Sequence, residues 1–258
     1  MSTPTVLVHR DPDELAAAVA ARLITRLVDV QSARGEASVV LTGGSIARTT
    51  LEAVAASPAR DAVDWRRLDL WWGDERFLPS GDPERNETLA REALLDQVPL
   101  DPERIHPMAP SDGPDGDDVD AAAARYVAAL AAAARPEDHG PAPSFDVFLL
   151  GVGPDGHINS LFPGHPSLYD DRPAFAVRNS PKPPPERLSL TRPVINSSQR
   201  VWLVLAGADK ASALGLALAG ASRDEVPVAG IKGRRRTVFF VDADAAAEVP
   251  EALIARDY

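Results

Sequence analysis

His157 is the residue in this chain best suited to moving a proton. It directly follows a glycine turn, Gly151-Val152-Gly153-Pro154-Asp155-Gly156. An imidazole with an ordinary pKa of about 6.5 takes and returns protons near neutral pH. The glycines before it, with Asn159 and Ser160 after it, suggest an open polar pocket. Asp155 is placed to orient the ring, and equally to cap the next turn. A satisfied surface or core histidine is the plainer alternative. A second cluster is Thr42-Gly43-Gly44-Ser45. Two glycines let backbone N–H groups approach an oxyanion, and a helix starting there adds partial positive charge. The plain reading is a tight turn with Ser45 as N-cap. In Asp74-Glu75-Arg76, the arginine can fork onto a phosphate or carboxylate, or join a solvated charge cluster. Lys210 opens a helix after Gly207-Ala208-Asp209, where a cation opposes the helix dipole unless an anion lies nearby.

Other patterns point away from chemistry. The 151–156 turn formally matches G-x-G-x-x-G, but Pro163, Pro166 and Pro173 leave room for about two turns of helix at most, and the motif lies mid-chain; a dinucleotide site needs a helix directly after it. The Walker phosphate-loop pattern is absent. His165 lacks the spacing of a zinc helix, and His9, His106 and His139 form no pattern, so no metal is expected. With no cysteine, disulfides, thiolate catalysis and Cys-ligated zinc are excluded. Lys232 with Arg234, Arg235 and Arg236 reads as a solvated basic loop.

The elements that must position these residues alternate. Short apolar runs at 5–9, 38–41, 68–72, 145–150, 187–191, 201–205 and 237–241 read as strands, with 145–150 central. Helical stretches begin at Asp11 and at Ser45, and others cover 83–96, 121–134 and 209–219. The segment 179–186 holds four prolines and is irregular. No repeat or long linker divides the chain. The expectation is one domain over residues 1–258, a three-layer α/β/α fold with a mostly parallel, Rossmann-like sheet. The clusters at 42–45, 73–76 and 151–157 then fall at strand carboxyl ends, where such sheets bind ligands.

Composition narrows the function. Among 258 residues, 45% are apolar, enough for a full core, and only 5% are aromatic, so Ala, Leu and Val must fill it. The net charge of −11 repels phosphate backbones, so nucleic acid is not an expected partner. An anionic ligand must be drawn by local cations and N–H groups. No basic segment followed by an apolar one opens the chain, and no apolar stretch reaches the ~18 residues of a membrane span. A soluble, cytoplasmic protein without membrane partners is expected.

At these residues the sequence resembles the 6-phosphogluconolactonase family, over nearly its whole length. The similarity runs through LTGGS at 41–45, WWGDERFLP at 71–79, RN at 85–86, FDVFLLGVGPDGHINSLFPGHP at 145–166, RLSLT at 187–191 and GADKASAL at 207–214. The stretch 151–163 is the most specific. The family often reads L-S-G-G-S-T-P; here Ile46 and Ala47 follow Ser45, which leaves the glycines but no hydroxyl at position 46. The resemblance implies cofactor-free hydrolysis of 6-phospho-D-glucono-1,5-lactone to 6-phosphogluconate, in the oxidative pentose phosphate pathway. It implies His157 as general base, with Asp155 beside it. Arg76 and Lys210 would hold the phosphate beside Gly43, Gly44 and Ser45, and Arg187 is a further candidate for the substrate's charge. The partner would be the small sugar-phosphate lactone, met by a monomer or small homo-oligomer. Glucosamine-6-phosphate deaminase shares a similar G-x-x-x-D-G-H turn but continues toward A-F-N-E-P, where this chain has Ile158 to Pro163 as INSLFP. A non-catalytic sugar-phosphate sensor would carry a DNA-binding segment, and neither the residues before Thr5 nor the charge suggests one.

Overall fold

The computed structural model describes residues 4–138 and 140–255, so His139 lies outside them. Strand β1 (Thr5–His9) leads into helix α1 (Pro12–Arg34), followed by β2 (Ala37–Leu41), α2 (Ser45–Ala56), β3 (Leu68–Trp72) and β4 (Asp74–Arg76). Then come α3 (Asn86–Ala93), β5 (Ile105–His106), α4 (Val119–Ala133), β6 (Val147–Gly151), β7 (Ala174–Val177) and β8 (Arg187–Leu190). The series closes with α5 (Arg192–Ser197), β9 (Arg200–Leu205), α6 (Ala211–Leu218) and β10 (Arg236–Asp242).

Seven strands form a parallel sheet in the order β1-β10-β9-β6-β2-β3-β5, with β6 in the middle. Because helices or a second sheet cover both faces, its strands are apolar on both sides. In β9, Val201, Leu203 and Leu205 pack on one face and Trp202 and Val204 on the other; Trp71 and Trp72 of β3 divide in the same way. Helices α1, α2 and α3 cover one face. α1 illustrates why these helices form where they do. The Asp11 carboxylate caps the Glu14 N–H at 2.8 Å and Pro12 opens the first turn. Leu15, Val19, Leu23 and Leu27 face the sheet, and Gly35 at φ 83° ends the helix in the left-handed conformation.

The opposite face carries a feature absent from the sequence-based expectation. β4, β8 and β7 form a separate antiparallel sheet that packs with α4. Asp74, Glu75 and Arg76 therefore do not end the third strand, as expected. β3 stops at Trp72, the chain turns at Gly73, and the three residues begin another sheet paired with 187–189. The helix expected over 83–96 starts only at Asn86, and the one expected from 209 begins as a short 3₁₀ turn at 208–210. Among the described residues no helix is long and apolar enough to cross a membrane.

Candidate active site

The order in which the chain adds parallel strands reverses between β6 and β2: β3 and β5 lie to one side, β9 and β10 to the other. A crevice opens at the carboxyl ends of strands at such a switch point. Here it is a cavity of about 290 Å³, and it brings together Gly43, Gly44, Ser45, Arg76, His157, Arg187 and Lys210, all singled out from sequence.

Gly153 is what admits the histidine. A β-carbon at this position would lie 1.9 Å from His157 Nδ1 and 2.0 Å from Cε1. The ring therefore packs directly on the turn's backbone, and its other neighbour is Phe162, with ring centroids 4.7 Å apart. Nδ1 lies 2.5 Å from Asp155 Oδ1. Asp155 thus takes the orienting place beside the ring. Burial lowers the His157 pKa below its ordinary value; the hydrogen bond and charge of Asp155 oppose this, and the Lys182 ammonium adds to it. Burial pushes Asp155 up, yet the hydrogen bond from His157 and the nearby positive charges leave it lowered. Asp155 is therefore ionised at neutral pH, so the proton in the short contact sits on Nδ1. That leaves the Nε2 lone pair free, with no hydrogen-bond partner among the described residues.

The glycine turn after β2 ends in an uncapped helix. Gly44, at φ 94°, is the N-cap of α2, not Ser45 as in the tight-turn reading; no side chain caps the helix and no acid lies in its first turn. Its leading N–H groups remain available to an anion. Gly43 is needed because a β-carbon there would sit 1.9 Å from Asn86 Oδ1. Asn86 in turn donates through Nδ2 to the Asp74 carbonyl at 2.9 Å and accepts from Arg76 Nη1 at 3.3 Å. Arg76 also donates to the Glu84 carbonyl at 2.5 Å. Lys210 is the N-cap of α6, with Nζ 3.0 Å from Asp209.

Arg187, the further candidate for the substrate's charge, also lines the cleft. Its guanidinium donates to the carbonyls of Lys182, Pro183 and Pro184 at 3.1, 2.7 and 3.3 Å, tying down the proline-rich segment. Sequence reasoning missed Lys182, which that segment delivers to the cleft with Nζ 3.1 Å from His157 Nδ1. It also missed Asp74, whose carboxylate accepts from Ser160 Oγ at 2.8 Å and fixes the turn beyond His157. Asn159 lines the cleft at φ 47°, and neither of its amide atoms has a protein partner. The signal for Asp74 and Asn86 was their place beside Arg76 and in the quoted 85–86 pair; for Lys182 it was a lone cation among prolines.

The other described histidines, His9, His106 and His165, are engaged elsewhere in the fold. His165 caps a 3₁₀ turn through Ser167, His106 stacks on Trp71, and His9 hydrogen-bonds the Val241 carbonyl. Among the described residues no group of three His, Asp or Glu side chains is arranged to hold a metal. The basic run at Lys232 and 234–235 is solvent-exposed, while Arg236 begins β10.

Comparison with known proteins gives a consistent result. The family model described as glucosamine-6-phosphate isomerases/6-phosphogluconolactonase matches residues 10–240. A 6-phosphogluconolactonase of Streptomyces coelicolor is 59% identical over 252 residues, 97% of each chain. That of Mycobacterium tuberculosis is 46% identical over 95% of this chain and 98% of its own. Among solved structures, the 6-phosphogluconolactonase from Trypanosoma brucei superposes with a TM-score of 0.82 at 28% identity, covering 97% of this chain and 100% of that one.

Proposed function

The chain belongs to the glucosamine-6-phosphate isomerase/6-phosphogluconolactonase family, and from that premise we propose that it hydrolyses 6-phospho-D-glucono-1,5-lactone to 6-phosphogluconate, the lactone-opening step of the oxidative pentose phosphate pathway. The observation that carries this reading is His157, with its Nδ1 proton held by Asp155 and its Nε2 lone pair unpartnered, in a cleft also lined by Arg76, Lys182, Arg187, Lys210 and the glycine turn at the start of α2. Nε2 takes a proton from water as the water oxygen bonds to the lactone carbonyl carbon. The carbonyl π pair moves onto oxygen. When the tetrahedral intermediate collapses, the bond to the ring oxygen breaks, and His157 returns its proton to that oxygen. Gly43, Gly44 and Ser45 at the start of α2, with Arg76 and Lys210, take the phosphate.

A hydrolysis assay on freshly prepared lactone, corrected for spontaneous opening, tests the reading. Wild-type protein is expected to accelerate opening, and His157→Ala to lower kcat by roughly 10²–10⁴. Wild-type turnover in the variant would remove the base assignment. Ammonia release from glucosamine 6-phosphate faster than lactone opening would replace the reaction itself.

A further inference from the structure

We propose that Lys182 is a catalytic residue of this centre, its ammonium donating to the oxyanion that forms on the lactone carbonyl when water attacks. The inference rests on the lactonase reading above. It starts from where the ammonium lies: Nζ is 3.1 Å from His157 Nδ1 and 3.5 Å from Asp155 Oδ1, at the edge of the cleft, with the side chain 40% exposed.

At this resting place the ammonium's donors are not all satisfied. Asp155 is ionised and 2.5 Å from Nδ1, so Nδ1 carries the proton and has no lone pair to offer Lys182. The ammonium, with three donors, is left with one long contact to Asp155. The other cations of the cleft are held differently: Arg187 by three carbonyls, Arg76 by Glu84 and Asn86, and Lys210 by Asp209. Lys182 is thus the cation nearest the base and the least committed of the four.

The reaction supplies what Lys182 lacks. As His157 takes the proton from water it becomes an imidazolium, and two positive charges about 3 Å apart repel. At that moment negative charge appears on the carbonyl oxygen beside them. The ammonium gains by turning from the imidazolium to the oxyanion, and it turns back when the carbonyl re-forms and the ring C–O bond breaks. A donor aimed at charge that exists only in the transition state acts on kcat. The backbone beneath it is fixed. The Lys182 carbonyl accepts from Ser180 Oγ at 2.8 Å and from Arg187 Nη2 at 3.1 Å, so the movement needs only side-chain torsions.

The test compares Lys182→Met and Lys182→Arg with wild type on the phosphorylated lactone and on unphosphorylated glucono-1,5-lactone. Lys182→Met is expected to lower kcat on both about 10²–10³-fold with little change in KM, and Lys182→Arg to restore part of the loss. The charged groups acting on His157 are Asp155 on its own turn, Asp74 on β4 and Lys182. In wild type the acid limb of the pH profile lies below pH 6.5, because activity needs neutral His157. Loss of the Lys182 charge moves that limb upward, and an NMR titration of His157 follows the same shift without an assay. Unchanged kcat in Lys182→Met overturns the inference while leaving the lactonase intact. So does a rise in KM confined to the phosphorylated substrate, which makes Lys182 a phosphate contact. A wild-type protein that opens no lactone overturns the underlying reading and this inference together.

Discussion

The histidine's usefulness depends on an atom its neighbour lacks. At Gly153 the missing β-carbon is where the imidazole edge lies, and Asp155 Oδ1 would also stand only 2.6 Å from such an atom. Gly153→Ala therefore leaves every reacting group in the sequence but evicts the ring from its place against Asp155. The expected result is a fall in kcat of about 10²-fold or more, since a displacement of about 1 Å already costs this much, together with some loss of thermal stability because Gly153 is itself buried. Near-wild-type kcat for this variant would mean that the ring has another working position. His157 and Asp155 were legible from sequence because they share a short turn whose glycines announce it. Lys182 was not: it lies 25 residues further on, and only the fold of the proline segment brings its ammonium back to that turn. Arg187 was legible as a site residue, yet its role in holding carbonyls depends on backbone positions no spacing rule conveys.

At the scale of elements, the parallel sheet's strands other than the two-residue β5 were readable because burial on both faces writes continuous apolar runs, and α1 because its cap, proline and glycine all agree. Of the small antiparallel sheet only β8 was readable, as the run at 187–191. β4 is three residues long and charged, and nothing local distinguishes it from a loop. Its stability comes from a buried network. Glu75 accepts from the N–H groups of Arg76, Asn86 and Glu87 at 2.8, 2.7 and 2.9 Å, capping α3 from outside. Arg85, whose side chain is fully buried, lies 3.6 Å from it and also donates to the Met108 carbonyl. Burial pushes the Glu75 carboxyl up to about 7, against the pull of Arg85 and the three N–H groups. Arg85→Met removes the countercharge from a group with no access to water, and breaking such a pair costs about 3–5 kcal/mol. In a protein of this size that lowers Tm by on the order of 10 °C, read by thermal unfolding. Adding Glu75→Gln to Arg85→Met is expected to recover part of the loss, because no lone charge then remains buried. If the single variant melts with wild type, the pair is not what holds β4 to α3.

Over the whole molecule, the −11 net charge and the anionic substrate pull in opposite directions. At about 0.1 M salt the Debye length is about 10 Å, so distant surface acids are screened and only charges near the cleft decide binding. There the uncapped start of α2, Arg76 and Lys210 stand together. Arg76→Ala and Lys210→Ala are each expected to raise KM for the phosphorylated lactone. A charge-assisted contact contributes ~1.5–3 kcal/mol, which corresponds to a loss of roughly ten- to a hundredfold in kcat/KM per residue. Arg76 also holds Glu84 and Asn86, so its removal could act through the fold of the loop. The unphosphorylated glucono-1,5-lactone separates the two causes, because it lacks the group these cations bind and should react nearly as before. Raising salt should follow the same division, lowering kcat/KM for the phosphorylated substrate in wild type and less so in either variant. A parallel loss on both substrates would make these residues structural and place the phosphate elsewhere in the cleft.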